Sequence, residues 1–236
     1  MILTLEPITA DPPRAIVKPA SRQQWLDLTF LHWTIGRDTL RRQIPRELEL
    51  DLYDGKAWIG LVPFNLQFGG MGTFPETNVR TYVYDAKGRR GVWFFSLDAA
   101  RLAAVVGARI AYGLPYYWNT MSVEVADGSV AYRSKRLHGP AAVSDIVVRP
   151  GRVIDEPSEF EHFLTARWRL FARRFGRVVS ADVDHPRWPL QKAVVEKVDQ
   201  NLVPATGEPL VHFSKGVDVR ATWARNVSGS GGPSLY

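Results

Sequence analysis

The stretch FPETNVRTYVY, residues 74–84, decides the fold prediction because it alternates in the manner of a β-strand. Successive side chains of a strand point to opposite faces, so Glu76, Asn78 and Arg80 share one face with two tyrosines. Threonines and valines form the other face. A face this polar is either solvated or lines the interior of a sheet that surrounds a ligand. The alternation alone favours the solvated arrangement and leaves the second one open.

Short runs of β-branched and aromatic residues, bounded by turn residues, continue this pattern on both sides of the stretch. Asp127 and Gly128 form a strong hairpin turn signal between two such runs. Because closing a sheet removes its exposed edges, the runs predict a mainly β (α+β) fold that is either a closed barrel or a sandwich. The runs predict roughly nine strands, at residues 57–68, 77–84, 92–97, 116–125, 130–136, 143–148, 178–183, 194–198 and 217–223.

Three helices are predicted to flank the sheet. The first covers residues 38–44 and ends at Pro45, and the second follows Asp98 and continues to about Ile110. The third begins at a capping box formed by Ser158 and Glu161. Apolar residues at helical spacing extend this third helix to Phe175 and leave an arginine-rich outer face.

The chain of 236 residues, 45% hydrophobic and 23% charged, has the composition of one globular unit. Neither an internal repeat nor a linker-like tract divides it. We predict one domain over residues 21–225, an extended proline-rich arm at 1–20 and a flexible tail at 226–236. The absence of cysteine excludes disulfides, thiolate metal sites and a cysteine nucleophile.

The amino-terminal residues lack the features of a secretion signal, and no apolar run reaches the roughly 18 residues of a membrane span. We therefore expect a cytoplasmic protein without a membrane partner. The net charge is +6, with 23 arginines and 7 lysines. Arginine binds carboxylates and phosphates bidentately, so the balance favours a surface that binds anions. No nucleic-acid recognition motif accompanies the charge, and we expect no nucleic-acid partner.

Two further segments carry side chains that could do chemistry. Asp182, Asp184 and His185 superficially resemble a metal cluster, but their side chains diverge in an extended chain, so we expect neither a metal nor a cofactor. In GLPYYW, residues 113–118, Tyr116 and Tyr117 begin a strand after a helix break. Their phenols could donate a proton or bond a carbonyl oxygen, although core aromatics are the alternative that the residues alone favour.

Six segments together resemble the acetoacetate decarboxylase-like superfamily and, within it, the YqjF-like bacterial branch. The resemblance extends over about residues 22–223 and implies a closed antiparallel β-barrel with a few flanking helices and a central polar cavity, often in a homo-oligomer. The segments are TLRRQIPRELELD (39–51), FPETNVRTYV (74–83), GVWFFSLDA (91–99), YGLPYY (112–117), WPLQ (188–191) and FSKGVDV (213–219).

The resemblance also implies what the chemistry is not. The decarboxylases use the first lysine of a Pro-Lys-Lys run to form a Schiff base with a β-keto acid. The matching run here is Pro115-Tyr116-Tyr117, and a tyrosine cannot form an imine. None of the seven lysines has surroundings that suggest a tuned nucleophile. We therefore do not expect Schiff-base decarboxylation.

The resemblance assigns site residues by position. Glu76 matches the active-site glutamate of the superfamily, Arg109 matches the arginine before the lysine run, and Arg22 is the nearest counterpart of the carboxylate-binding arginine. Trp93 and Phe95 share a strand face and are expected to form an apolar wall beside Glu76.

These assignments predict an enzyme that acts on a small carbonyl or carboxylate compound by metal-free general acid/base chemistry. Glu76 would move a proton, and Tyr116 would hydrogen-bond a developing oxyanion. Arg80 or Arg109 would hold an anionic group, with the neighbouring Asn78, Tyr117, Trp93, Phe95 and Arg22 as further substrate-binding residues. Lyase-like and hydratase-like reactions both suit this set. The alternative is a non-catalytic binding or sensing protein that keeps the barrel.

Overall fold

The computed structural model describes residues 3–227. Within this range the chain forms three α-helices, which are α1 Arg37–Arg41, α2 Leu102–Tyr112 and α3 Glu159–Thr165. The described residues also form thirteen strands, so the prediction of a mainly β fold with few helices is confirmed. The strands are β1 Ser21–Ile35, β2 Leu48–Leu50, β3 Ala57–Gln67, β4 Thr73–Asp85, β5 Arg90–Ala99, β6 Tyr116–Ala126, β7 Ser129–Arg136, β8 Val143–Val153, β9 Arg169–Arg174, β10 Arg177–Asp184, β11 Leu190–Gln200, β12 Leu210–Ala221 and β13 Arg225–Asn226.

All thirteen strands of the described range belong to one sheet, with the order β13-β10-β9-β5-β6-β7-β8-β11-β12-β1-β3-β4-β2. Additional pairings join β4 to β5 and β10 to β12. Most neighbours are antiparallel, but β5 runs parallel to both β6 and β9. The expectation of a wholly antiparallel sheet is therefore corrected. A parallel pair needs a crossover connection, and α2 supplies it between β5 and β6.

The strands at the centre of the sheet are buried on both faces. Side chains of β1, β3 and β4 alternate between two apolar clusters, one containing Leu31, Leu61 and Val79. The other cluster contains Phe30 and Phe64. A polar side chain on either face of these strands is consequently withdrawn from bulk water, which requires partners for its polar atoms.

The sequence analysis does not predict β1, the longest strand of the described range. Its middle part is buried on both faces, so apolar residues occur on each face there and the two-residue alternation disappears. Asp27 adds an irregularity, because its φ of 50° interrupts the pairing register between Leu26 and Leu31.

The three predicted helices are all shorter in the structure or displaced along the chain. α1 ends at Arg41, and α2 begins at Leu102 because Asp98 still belongs to β5. The capping box of Ser158 and Glu161 is confirmed, but α3 ends at Thr165 and β9 occupies the rest of the predicted helix. Residues 170–172 pair with β10 there, which overrides their helical spacing. No helix within residues 3–227 is long and apolar enough to cross a bilayer.

The amino-terminal arm lies along the sheet without forming a strand before Ser21. The Glu6 backbone N–H donates to Gly88 O at 2.8 Å, and the Ile16 N–H donates to Asp184 Oδ2 at 2.6 Å. At the other end, Asn226 of β13 pairs with Val179 of β10. The predicted tail lies outside the described residues from 228 onwards.

Candidate functional site

The polar face of β4 is buried. Glu76 is 4% exposed, Asn78 is 7% exposed and Arg80 is 6% exposed. β4 lies between β3 and β5, where Glu76 stands opposite Phe64 on one side and Ala99 on the other. The solvated arrangement that the alternation favoured is therefore wrong, and this face points into the molecule.

Glu76 and Tyr116 form a buried hydrogen-bonded pair. The Tyr116 hydroxyl donates to Glu76 Oε2 at 3.0 Å. Burial raises the pKa of Glu76 from 4.5 to about 8; the hydrogen bond from Tyr116 opposes the rise, and the charge of Asp98 adds to it. Burial and then the charge of Glu76 raise the pKa of Tyr116 well above 10. At neutral pH the pair therefore consists of a phenol and a mostly protonated carboxyl group.

The break between α2 and β6 sets the position of Tyr116. Gly113 ends α2 with a φ of 70°, and a Cβ there would lie 2.4 Å from Arg173 O, so glycine is required. The parallel pairing then places Tyr116 beside Leu97 of β5. Arg109 Nε donates to the backbone oxygen of Tyr116 at 2.7 Å. Arg109 thus holds the main chain of Tyr116, and its side chain is directed to that carbonyl rather than to Glu76.

Arg80 is a buried cation without a carboxylate partner. Its Nη2 donates to Leu164 O at 3.2 Å, and its guanidinium carbon lies 5.6 Å from the centre of the Phe30 ring. No acidic side chain within residues 3–227 lies within ion-pair distance of it. A buried charge without a counter-ion is costly, which is a reason to expect an anionic ligand at this position.

All three β4 side chains keep polar atoms that make no hydrogen bond with the described residues. Two of them, Oδ1 of Asn78 and Nε of Arg80, are fully buried, and the others are Oε1 of Glu76, Nδ2 of Asn78 and Nη1 of Arg80. A buried polar atom without a partner costs about 1–3 kcal/mol, so such atoms are uncommon in folded proteins. Three neighbouring residues with free polar atoms on one face are consistent with a site that a ligand or water completes.

A second polar contact, which the sequence analysis missed, extends this face beyond Arg80. The Tyr82 hydroxyl donates to Leu164 O at 2.7 Å, so its oxygen accepts from His32 Nε2, which lies 2.6 Å away. Burial, followed by the charge of Arg80, lowers the pKa of His32 well below 6.5. Gly60 makes room for this imidazole, because a Cβ at Gly60 would lie 3.1 Å from it. The alternation of β4 already includes Tyr82. His32 lies in a mostly apolar stretch of β1, where no sequence pattern marks it as a site residue.

Trp93 and Phe95 do not wall Glu76, which corrects the expectation. Both pack against the apolar cluster on the opposite face of the sheet. A register shift after Val79 brings Phe94 opposite Arg80, so Phe94 belongs to the face that carries Glu76. A single extra residue in β5 reverses which aromatic side chains face the site, and alternation cannot reveal such a bulge.

Tyr117 lies on a different face from Tyr116. It stands opposite Asp98 in the parallel pairing, and the Arg136 guanidinium carbon lies 3.8 Å from the centre of its ring. Arg136 Nη2 also donates to Asp98 Oδ1 at 2.7 Å. Tyr117 therefore contributes to a cation–π and ion-pair arrangement, and the structure does not bring it to Glu76.

Arg22 lies near the start of β1, where it stands opposite Arg220 of β12. It lines a cavity of about 640 Å³ whose lining residues do not include Glu76, Asn78, Arg80 or Tyr116. The structure thus brings Glu76, Tyr116, Asn78 and Arg80 to one buried face, with Arg109 behind Tyr116, and places Arg22 at a separate cavity.

All seven lysines fall within the described range, and each of them is exposed. None is therefore available on the buried face that carries Glu76. Within the same range, no group of three or more histidine, aspartate or glutamate side chains is arranged to hold a metal ion.

Comparisons of the sequence place this chain in a known group. The model of the DUF2071 family, described as an uncharacterized conserved protein, matches residues 22–218. The uncharacterized protein YqjF of Bacillus subtilis (strain 168) is 36% identical over 215 residues, which covers 84% of this chain and 88% of YqjF. The resemblance to the YqjF-like branch is thereby confirmed.

Solved structures with a similar fold include acetoacetate decarboxylase-like enzymes. The enduracididine biosynthesis enzyme MppR, complexed with pyruvate, has a TM-score of 0.62 at 14% identity, covering 92% of this chain and 93% of MppR. Acetoacetate decarboxylase from Legionella pneumophila has a TM-score of 0.60 at 14% identity, covering 97% and 98% of the two chains. An acetoacetate decarboxylase-like enzyme from Sphingomonas wittichii RW1 has a TM-score of 0.59 at 13% identity, covering 91% and 96%. At these identities the similarity establishes the fold.

Proposed function

The chain belongs to the DUF2071 family, and from that premise we propose that it is an enzyme that acts on a small carbonyl or carboxylate compound. Its general acid/base chemistry would need neither a metal nor a Schiff-base lysine. The observation that carries the proposal is the buried Glu76–Tyr116 pair, in which the Tyr116 hydroxyl lies 3.0 Å from Glu76 Oε2. A group that gives or takes protons works best when its pKa lies near the working pH, and the pKa of Glu76 is about 8.

Glu76 is the residue that moves the proton. Its ionised form takes a proton from a carbon next to a carbonyl group, and its protonated form returns one. Tyr116 keeps its own proton, because burial raises the pKa of its phenol well above 10. Its hydroxyl can therefore donate either to Glu76 or to the oxyanion that develops on the substrate.

Arg80 and Asn78 hold the substrate in this proposal. Alternate residues of a strand are roughly 7 Å apart, so Asn78 lies between the acid/base group and the cation. The free Nη1 and Nε atoms of Arg80 suit a carboxylate, and the Asn78 amide suits a carbonyl or hydroxyl group. Arg109 acts by positioning the main chain of Tyr116.

Two further observations support this chemistry. The resemblance places Tyr116 where the decarboxylases have their nucleophile, and all lysines of the chain are exposed, which favours a route without an imine. The fold neighbour MppR is complexed with pyruvate, a small keto acid, and that supports a substrate of the same class for this chain. The sheet order runs from β5 through β6 to β4, and the additional pairing of β4 with β5 joins the two ends of this series. We take this arrangement as a closed β-barrel, as the resemblance implies.

The experiment follows proton abstraction directly. Pyruvate, acetoacetate and other small keto acids are incubated with the protein in D₂O, and loss of the protons beside the carbonyl is measured by ¹H NMR. We expect the wild type to exchange these protons faster than buffer alone does, at a rate that rises with pH up to about 8. In Glu76→Gln the rate of exchange should decrease by about 10²–10⁴-fold. Glu208→Gln, which changes an exposed glutamate, is the matched control and should exchange at the wild-type rate.

The outcomes separate the two functions. Equal exchange rates in the wild type and in Glu76→Gln would refute the role of Glu76. Binding of a keto acid to the Glu76 face without any accelerated exchange would favour the alternative, a non-catalytic binding or sensing protein.

A further inference from the structure

A cavity of about 640 Å³ lies away from Glu76, where the start of β1 meets the end of β10. Its volume is within the range of small-molecule sites. The residues that line it come from five different segments, including the amino-terminal arm, so the folded chain is needed to build it. The polar members of the lining are Asp11, Arg22, Gln23, Gln24, Gln67, Asp184, His185, Asp218 and Arg220.

His185 is fixed in this cavity by three contacts. Its ring centre lies 4.5 Å from that of Trp168 and 4.5 Å from that of Trp188. Its Nδ1 lies 2.6 Å from Pro186 O, and because a carbonyl oxygen only accepts, Nδ1 carries the hydrogen. The whole residue is only 5% exposed.

The remaining ring nitrogen of His185 is an acceptor without a donor. In the neutral ring, a hydrogen on Nδ1 leaves a lone pair on Nε2. This Nε2 makes no hydrogen bond with any residue of the described range. Burial lowers the pKa of His185 to about 4, so the ring stays neutral at physiological pH. A neutral imidazole held this way accepts a hydrogen bond from a hydroxyl or ammonium group.

The charges that line the cavity leave one cation free. Asp184 accepts from Arg220 Nε and Nη2, each at 2.8 Å. Asp11 is paired with Arg187, which lies outside the lining. Arg22, by contrast, has no ion-pair partner within residues 3–227, and its guanidinium is therefore available to an anion.

The lining also contains the carboxylate of Asp218. Asp218 accepts a hydrogen bond from Gln24 Nε2 at 2.8 Å, so its partner is a neutral amide and its charge is not balanced by a cation. The cavity thus contains one free positive group, one carboxylate beside an amide, and one neutral acceptor. A ligand that matches all of them carries a carboxylate and a hydrogen-bond donor.

We propose that this cavity is a second binding site, for a small carboxylic acid that carries a hydroxyl or an ammonium group. Arg22 binds the carboxylate, and His185 Nε2 accepts from the donor group. The site shares no lining residue with the Glu76 face, so the proposal is independent of the acid/base function.

Three small acids test the two contacts separately. Glycolate supplies a carboxylate and a hydroxyl, glycine supplies a carboxylate and an ammonium group, and acetate supplies only the carboxylate. Each is titrated into the full-length protein carrying ¹⁵N-labelled histidine. We expect glycolate or glycine to shift the His185 Nε2 resonance and to bind at least tenfold more tightly than acetate. Whichever binds more tightly identifies the donor.

Variants keep the test decisive. Arg22→Gln should weaken binding of the preferred acid at least tenfold, whereas Arg14→Gln, which changes an exposed arginine of the arm, should not. His185→Phe keeps an aromatic ring between the two tryptophans and should remove the preference over acetate. No shift of the His185 resonance with any of the acids would overturn the proposal, as would equal binding of acetate or unchanged binding in Arg22→Gln.

Discussion

Replacing Glu76 by glutamine should make the protein's stability less sensitive to pH. The unfolded chain releases the Glu76 proton around pH 4.5, but the folded protein retains it until about pH 8 because burial opposes ionisation. Between these values the folded state binds more protons than the unfolded state. The free energy of unfolding therefore falls as the pH rises through this window. Glutamine has nearly the same shape and does not titrate.

The magnitude follows from the separation of the two pKa values. Each unit of difference corresponds to about 1.4 kcal/mol, so the Glu76 contribution falls by about 5 kcal/mol in total between pH 4.5 and pH 8. Below pH 4.5 the carboxyl is protonated in both states and this contribution is fully present. The wild-type curve should therefore approach or exceed that of Glu76→Gln at low pH and fall below it progressively towards pH 8.

The assay is urea-induced unfolding of both proteins at intervals from pH 4.5 to pH 9, followed by tryptophan fluorescence. The quantity of interest is the difference between the two free energies of unfolding, because other titrating groups cancel in it. Glu208→Gln, at an exposed glutamate, should leave the wild-type pH dependence unchanged. Parallel curves for the wild type and Glu76→Gln would refute the reasoning, since they would mean that Glu76 ionises equally in the folded and unfolded states.

Three other predictions concern the chemistry, the capping box and the surface charge. Borohydride added with acetoacetate should trap no covalent adduct, because the resemblance places Tyr116 at the position of the imine-forming lysine and every lysine is exposed; a stoichiometric mass increase on a lysine would contradict this. Ser158→Ala removes the hydroxyl that accepts from the Glu161 N–H and should lower the free energy of unfolding by about 1 kcal/mol in urea titrations, whereas an unchanged value would deny the cap any role. Binding to nucleic acid, measured by fluorescence anisotropy, should be weak and fall steeply with salt, and tight sequence-dependent binding at physiological salt would overturn the expectation of a small-molecule site.

Two signals were sufficient to predict strands. One is the alternation of polar and apolar residues, and the other is a turn signal at the end of a strand. β4 and the hairpin of β6 and β7 follow from residues 74–84 and from Asp127-Gly128. The signals fail in β1, where apolar residues occupy both buried faces and the polar residues Thr29 and His32, three positions apart, give no two-residue alternation. They fail again after α3, where the apolar residues 170–172 pair with a neighbouring strand although their spacing suits a helix.

The candidate site was only partly visible in the sequence. Alternation places Glu76, Asn78 and Arg80 on one face, but it could not decide that this face is buried, because that depends on which strands cover it. The contact of Tyr116 with Glu76 spans 40 residues and depends on a parallel pairing that the sequence analysis did not anticipate. The bulge in β5 likewise exchanges Trp93 and Phe95 for Phe94 without any sign in the residues themselves.

His185 is a residue whose surroundings the sequence did not reveal. In the sequence, His185 resembles only a member of a metal cluster whose side chains diverge along an extended chain. The structure surrounds it instead with Trp168 and Trp188 and leaves one nitrogen free in a cavity. Such an arrangement comes from segments that are distant in sequence, so no local pattern announces it.

The central claim is that Glu76 holds a proton near neutral pH and can release it within the pair with Tyr116. A ¹³C NMR titration of the Glu76 side-chain carboxyl, assigned by its absence in Glu76→Gln, measures this directly. The account predicts a midpoint of about 8 in the wild type and a higher one in Tyr116→Phe, because the donated hydrogen bond stabilises the ionised form. A wild-type midpoint near 4.5, the ordinary value of a glutamate, would contradict it.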